Sequence, residues 1–434
     1  MNIKRAKNEI KNALRAYLAR DAFGAYRIPP IRQRPILLMG PPGIGKTQIM
    51  EQIAEETGVG LVSYTLTHHT RQSALGLPFI ETVQLGGAER TVTAYTMSEI
   101  IASVYREMER TGTKEGILFL DEINCISETL TPMMLQFLQC KTFGNQRLPD
   151  GWMVVAAGNP PEYNKSVREF DVVTLDRVKR IDVEEDFAVW KEYAYRRGIH
   201  GAILSYLEIR RDHFYRVEAT ADGLQFVTAR GWEDLSELMQ VYETLDLPVD
   251  RQVVGQYLQL PRVAADFANY LQLYEKYKRV YRVEEILDGA WEKVRASELA
   301  GAAFDEKLGV LGLLLARLAD SAREAYRLDR LTDALHQDLV HIREGEKMLG
   351  TLLDEKQAAL TRRRDAGSTD KDALFTAARE AERLAAFQQA LALEKVPKGQ
   401  AFERLKALFQ EDVQARADAA DRTDRQLANV FAFL

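Results

Sequence analysis

Eight residues constrain this chain more than any other feature. Gly40-Pro41-Pro42-Gly43-Ile44-Gly45-Lys46-Thr47 follows the apolar run Ile36–Met39 and precedes a helix pattern over residues 47–56. The octapeptide fits GxxxxGK[ST] between a strand and a helix. Glycines let backbone N–H groups wrap phosphates, and the helix N-terminus adds a partial positive charge at the same spot. Lys46 can reach the β- and γ-phosphates of a nucleotide, and the Thr47 hydroxyl can ligate Mg2+. A Gly/Pro loop before an ordinary helix is the plain alternative, and the strand–loop–helix context disfavours it.

Around this loop, short apolar runs alternate with helix patterns. Strands are expected at 36–39, 61–65, 116–120, 152–157 and 178–183, with helices at 47–56, 97–109 and 128–140. That alternation implies βαβ units around a parallel sheet. Two segments interrupt it and read as projecting β-hairpins. One, about residues 77–95, turns at Gly86-Gly87, and the other, about 141–151, turns at Gly144-Asn145. Residues 186–285 read as helices at 187–197, 202–208, 231–245 and 264–281. From residue 297 the pattern is all helix. Leu328, Leu331, Leu335, Leu339, Ile342, Leu349 and Leu352 form a heptad-like stripe, read as an intramolecular seam, before Gly367-Ser368-Thr369 breaks the pattern. The stretch 262–396 contains none of the 13 prolines, which sets the last third apart from the rest. At 434 residues, two or three domains are expected.

Two further signals join the loop. Ile117-Leu118-Phe119-Leu120 ends in Asp121-Glu122, so the carboxylates emerge at the C-terminal end of a central strand, where open α/β sheets bind ligands. Asp121 is the candidate for the Mg2+ shell, and Glu122 for the general base that polarises the attacking water. Alone, the pair would read as a charged turn. Ala156-Ala157-Gly158 ends another strand at Asn159-Pro160-Pro161. Asn159 is expected between the first and third strands, orienting water against the γ-phosphate; the alternative is an Asn-Pro turn initiator.

GPPGIGKT, ILFLDE and AAGNPP in this order resemble the AAA+ ATPases. The two hairpin inserts narrow the resemblance to the helix-2-insert clade and, within it, to the MoxR-like ATPases, over about residues 10–285. The resemblance implies an α/β fold: an AAA+ P-loop domain at 1–185 with an N-terminal helix at 1–20, and a small α-helical lid at 186–295. An all-α extension at 296–434, read as a long antiparallel helical hairpin with a further helix, lies beyond it. ATP and Mg2+ are the implied cofactors. Leu175-Asp176-Arg177 resembles the family's LDRF stretch with Val178 in place of Phe, making Arg177 the implied arginine finger and Arg180 its competitor. Thr228-Ala229-Arg230 resembles the sensor-2 arginine. For any of these arginines a surface ion pair or a helix cap is the plain alternative. A trans finger implies a ring, hexameric in the family. The resemblance further implies a von Willebrand A-domain partner and a chaperone-like role in remodelling a protein client, such as metal insertion or complex maturation.

Charge bears on the alternatives. With 58 basic and 64 acidic residues the chain is slightly acidic, which opposes a nucleic-acid motor of the same clade. A scaffold that uses ATP only for assembly is disfavoured by the intact Asp121-Glu122 pair. Cys125 and Cys140 make no CxxC, exclude a disulfide framework and suit a reducing cytoplasm. Adjacent His68 and His69 cannot face one metal from a strand. The first twenty residues lack the apolar core of a signal peptide, and Leu311 to Leu315 is far too short to span a bilayer.

Overall fold

The structure, a computed structural model, describes the chain except residues 69–71, 73, 75, 145, 164–166, 168, 169, 221, 222, 346 and 366–370. The features expected at His69, Asn145 and Gly367-Ser368-Thr369 lie outside the described residues. The chain divides into two compact units, Met1–Val189 and Trp190–Leu434.

The described strands of the first unit are β1 (Ile36–Met39), β2 (Gly60–Thr65), β3 (Pro78–Leu85), β4 (Ala88–Tyr95), β5 (Gly116–Asp121), β6 (Thr142–Phe143), β7 (Gln146–Arg147), β8 (Trp152–Gly158) and β9 (Lys179–Asp182). Five of them form a parallel sheet in the order β2-β5-β8-β1-β9. Helices α1 (Ile3–Leu18) and α2 (Lys46–Thr57) cover one face; α3 (Glu99–Thr111) and α4 (Thr131–Cys140) cover the other. Strand alternation divides the core accordingly. Leu118, Leu120, Val154 and Ala156 pack with Ile100, Val104 and Phe137, whereas Ile117, Phe119, Met153 and Val155 pack with Ile10, Leu14 and Ile53. Because both faces are covered, β1, β5 and β8 are unbroken apolar runs rather than alternating ones.

Helix ends differ from expectation for local reasons. The helix expected from 128 begins at Thr131, after a turn in which Leu130 N–H donates to the Ser127 carbonyl. Pro132 sits in its first turn, where a missing N–H costs nothing. Helix α3 runs two residues further than expected and stops at Gly112, whose φ of 72° gives the left-handed cap. Both hairpins form: β3–β4 pairs antiparallel around Gly86-Gly87, at φ of 61° and 80°, and β6–β7 is a two-residue ladder. Phe143 stacks on Phe137 with ring centroids 4.2 Å apart, anchoring the second hairpin to α4.

In the second unit, α6 (Phe187–Arg197, which straddles the division) and α7 (Gly201–Ile209) lead into an antiparallel hairpin, β10 (Arg216–Thr220) and β11 (Gly223–Val227). The sequence reading named only helices in 186–285 and assigned no element to residues 209–230, where this hairpin forms. Val217 and Phe226 are cross-strand partners, and Phe226 N–H donates on to the Gln259 carbonyl. Then come α8 (Ala229–Thr244), α9 (Arg251–Tyr257), α10 (Pro261–Tyr281), α11 (Val283–Leu287) and α12 (Lys293–Gly301). Phe267 meets Trp232 and Tyr206 edge-on in the core between them, and those two rings lie tilted to each other. The chain ends in α13 (Phe304–Arg343), α14 (Leu349–Asp365), α15 (Lys371–Leu393) and α16 (Ala401–Phe433).

The leucine stripe is not one helix. Helix α13 stops at Arg343, and Gly345 takes a φ of 74°, so Leu349 and Leu352 belong to α14. Leu331, Leu335, Leu339 and Leu352 nevertheless meet in one cluster with Leu384, Phe387, Leu405 and Leu408. The periodicity marks a buried seam among four helices. No helix among the described residues is long and apolar enough to cross a membrane.

Candidate functional site

Strands β5, β8 and β1 are neighbours, and their carboxyl ends bring the three sequence signals together. The loop after β1 takes left-handed conformations at Gly43 (φ 74°) and Gly45 (φ 91°), which glycine adopts without a Cβ penalty. Gly40 is needed for space: a Cβ there would lie 2.8 Å from the Val183 carbonyl oxygen. Gly45 caps α2, so the first N–H groups of that helix open onto the loop. Ile44 packs partly buried against the α1–α2 face of the sheet.

Lys46 is buried and its ammonium donates three hydrogen bonds, to the carbonyls of Gly40 (2.7 Å) and Pro41 (2.8 Å) and to Asn159 Oδ1 (2.8 Å). Pro42 completes the turn between them. Thr47 Oγ1 donates to Asp121 Oδ2 at 3.1 Å. Asp121 Oδ1 accepts from the N–H of Glu122 at 2.9 Å. Glu122 has a φ of 57°, unusual for a residue with a Cβ and costing about 1–2 kcal/mol. Ile123 N–H donates to the Ala157 carbonyl at 2.9 Å, tying the turn after β5 to β8.

These residues fit a Mg2+-nucleotide. The loop supplies backbone donors and one cation for phosphates, and Thr47 and Asp121 offer adjacent hard oxygens. Among the described residues, no group of three or more His, Cys, Asp or Glu could hold a metal. A hydroxyl and one carboxylate suit Mg2+, which uses few protein ligands and takes the rest from phosphates and water.

Within the first unit, Arg177 and Arg180 make no recorded bond to this set among the described residues. Arg177 is exposed, just beyond the short helix Val172–Leu175 that Asp171 caps through Thr174. The hydrogen bonds from Thr174, and after them the charge of Arg177, hold the Asp171 carboxyl below its usual value. β9 pairs parallel with β1, Lys179 opposite Ile36 and Asp182 opposite Met39. Arg177 therefore sits beyond the amino end of β9, whereas the loop lies beyond the carboxyl end of β1. At ~3.3 Å per residue, three strand steps alone separate the two levels by about 10 Å. Arg180 pairs with Asp182 at 2.8 Å. Arg230 is exposed in the first turn of α8, in the second unit, where Thr228 accepts from Gly231 N–H as the cap. Burial raises the Asp234 carboxyl nearby, and the charge of Arg230 opposes the rise.

The sequence reading missed Asn124 and Gly158. Asn124 Nδ2 donates to the backbone carbonyl of Asn159 at 2.7 Å, and Gly158 leaves room for its amide. An amide two residues beyond Glu122 and a glycine just before Asn159 were the available signals.

Residues 35–178 match the family model of the AAA domain (dynein-related subfamily). Over these residues the chain is similar to an AAA domain. With its parallel sheet and the helical C-terminal region, it gives the chain an α/β AAA+ fold, and it supports nucleotide binding and ATP-driven activity in general. The solved structures similar to the chain include one of a candidate ATPase from Cytophaga hutchinsonii, with 18% identity, 44% of this chain and 50% of that chain covered, and a TM-score of 0.27. The chain thus spans about half the length of that protein. No curated protein matches the chain.

Proposed function

We propose that the protein is a Mg2+-dependent ATP hydrolase of the MoxR-like AAA+ type, working in the cytoplasm as a hexameric ring that remodels a protein client. The observation that carries the hydrolase reading is that two successive residues at the start of α2 reach the ends of two other strands, Lys46 bonding Asn159 and Thr47 bonding Asp121. In this reading Gly40, Pro41, Pro42, Gly43, Ile44, Gly45 and Lys46 hold the phosphates, and Thr47 and Asp121 hold Mg2+. Held there, Mg2+ would supply charge neutralisation for the phosphate oxygens. Glu122 takes a proton from the attacking water, and Asn159 orients that water. Lys46, hydrogen-bonded to Asn159 here, is the group that exchanges this partner for phosphate oxygens.

Arg177 acts on the site of a neighbouring copy. The β1–β9 register supports this, because Arg177 and the loop of one chain lie at opposite ends of the sheet. Arg230 serves as the nucleotide sensor from a lid at 186–295, and residues 296–434 form the extension that meets the client or a von Willebrand A-domain partner. Metal insertion or complex maturation is the kind of work proposed.

Glu122→Gln tests the chemistry. The amide keeps the size and loses the base, so the variant should bind ATP with near wild-type affinity and release phosphate at least about 100-fold more slowly. Full hydrolysis by this variant removes Glu122 as the base.

A further inference from the structure

The two catalytic candidates Glu122 and Asn159 stand just beyond the carboxyl ends of different strands, β5 and β8. Their relative placement rests on what joins the strand ends. One tie is the Ile123 N–H to Ala157 carbonyl bond, 2.9 Å. The other is a side chain. Asn124 is 3% exposed, and its Nδ2 donates to the Asn159 carbonyl at 2.7 Å. The amide can face only one way, since its reverse would set two oxygens against each other. That orientation leaves Oδ1 buried with no donor among the described residues, which ordinarily costs about 1–3 kcal/mol. Oδ1 is also directed at Gly158: a Cβ on that glycine would lie 2.6 Å from it and 2.9 Å from Cγ. Two neighbouring residues are thus shaped around one amide that makes one of its four possible hydrogen bonds among the described residues.

We infer that Asn124 is a positioning residue for hydrolysis, a latch that fixes Asn159 relative to Glu122. The inference rests on the ATPase reading above. Asn124 touches neither phosphate loop nor Lys46 by any hydrogen bond; it acts through the backbone of Asn159, whose side chain accepts from Lys46. Ile123 supplies the backbone tie and Asn124 the side-chain tie, so residues 121–124 and 157–159 move as one piece. Asn159 then keeps its place when Lys46 exchanges its partner. A burial role alone does not call for an amide: an apolar residue of the same shape would remove the unpaired Oδ1, and what it would lose is the bond to the Asn159 carbonyl.

The test uses the full-length chain. Steady-state hydrolysis gives kcat and KM, a fluorescent ATP analogue gives affinity, and thermal unfolding without nucleotide gives stability. Asn124→Leu keeps the volume and removes both the donor and the unpaired acceptor. The expected result is a kcat about 10–100-fold lower, the size of effect that a small misplacement of reacting groups produces. KM and analogue affinity should stay within about twofold and the thermal midpoint should move little. Gly158→Ala should lower both kcat and the midpoint by driving its methyl into the amide. Asn124→Ala in that background removes the obstacle, so the double variant should melt above Gly158→Ala alone.

A kcat for Asn124→Leu within about twofold of wild type overturns the latch, as does a loss that only tracks affinity or melting temperature. Additive losses in the Gly158 pair remove its packing basis. A wild-type chain that binds the analogue but hydrolyses nothing would instead sink the ATPase reading itself.

Discussion

Deep in the second unit, one lysine holds two buried carboxylates, and removing it should be costly. Lys356 of α14 reaches Asp338 of α13 at 2.9 Å and Glu380 of α15 at 2.6 Å. The carboxylate side chains are only 3% and 10% exposed, and Asp338 Oδ2 has no further partner among the described residues. Lys356→Met keeps the stem and deletes the charge, leaving two acids buried together. Breaking a buried pair in this way costs about 3–5 kcal/mol. In urea, followed by far-UV circular dichroism, that is a fall of about 1 M or more in the midpoint of the second unit. The loss should depend on pH. Burial raises the Glu380 carboxyl above the usual range, and Lys356 pulls it back. A carboxyl raised in the folded state contributes stability below its unfolded pKa, and that stability is lost as pH rises through the folded value. Without Lys356 the rise grows, so the deficit should be largest near about pH 8 and shrink toward about pH 5. Asp338→Asn with Glu380→Gln in the Lys356→Met background should recover most of the loss. A deficit below about 1 kcal/mol, or one that is flat with pH, would refute the reasoning, because it would mean that the acids are already solvated.

Other outcomes follow from the first unit. Burial lowers Lys141 to about 8, and its ammonium has only Gln33 Oε1, at 3.3 Å, as a hydrogen-bond partner among the described residues. A cation depressed in the folded state costs stability below its folded pKa and stops doing so above the unfolded one. Lys141→Met should therefore stabilise the unit by about 1–3 kcal/mol near neutrality, the gain fading as pH rises above about 8 in thermal melts. Arg177→Ala should lose turnover but keep ATP binding. Mixing it with Lys46→Ala subunits should restore part of the rate, since each mixed interface can unite an intact loop with an intact finger; no recovery on mixing would remove the trans role.

Different parts of this protein were legible at different levels. The loop, the acidic strand end and Asn159 could be read from short strings because phosphate binding and buried parallel strands each demand a local composition. The hairpin at Arg216–Thr220 and Gly223–Val227 was not read, since its ladder is closed by Gln259, more than thirty residues on. The leucine stripe was read as packing, but its break at Gly345 was not, because periodicity continues across a turn that reverses the chain.

The sequence by itself determined that a glycine-rich loop follows β1 and that carboxylates close β5, since strand, glycine turn and helix cap are contiguous in the chain. Tertiary structure alone decided that Lys46 meets Asn159 and that Asn124, in the turn after β5, holds the Asn159 backbone, because those pairs are 113 and 35 residues apart. The order β5-β8-β1 is what brings them together. The same register sets Arg177 at the far end of the sheet, a separation that no spacing in the sequence reveals.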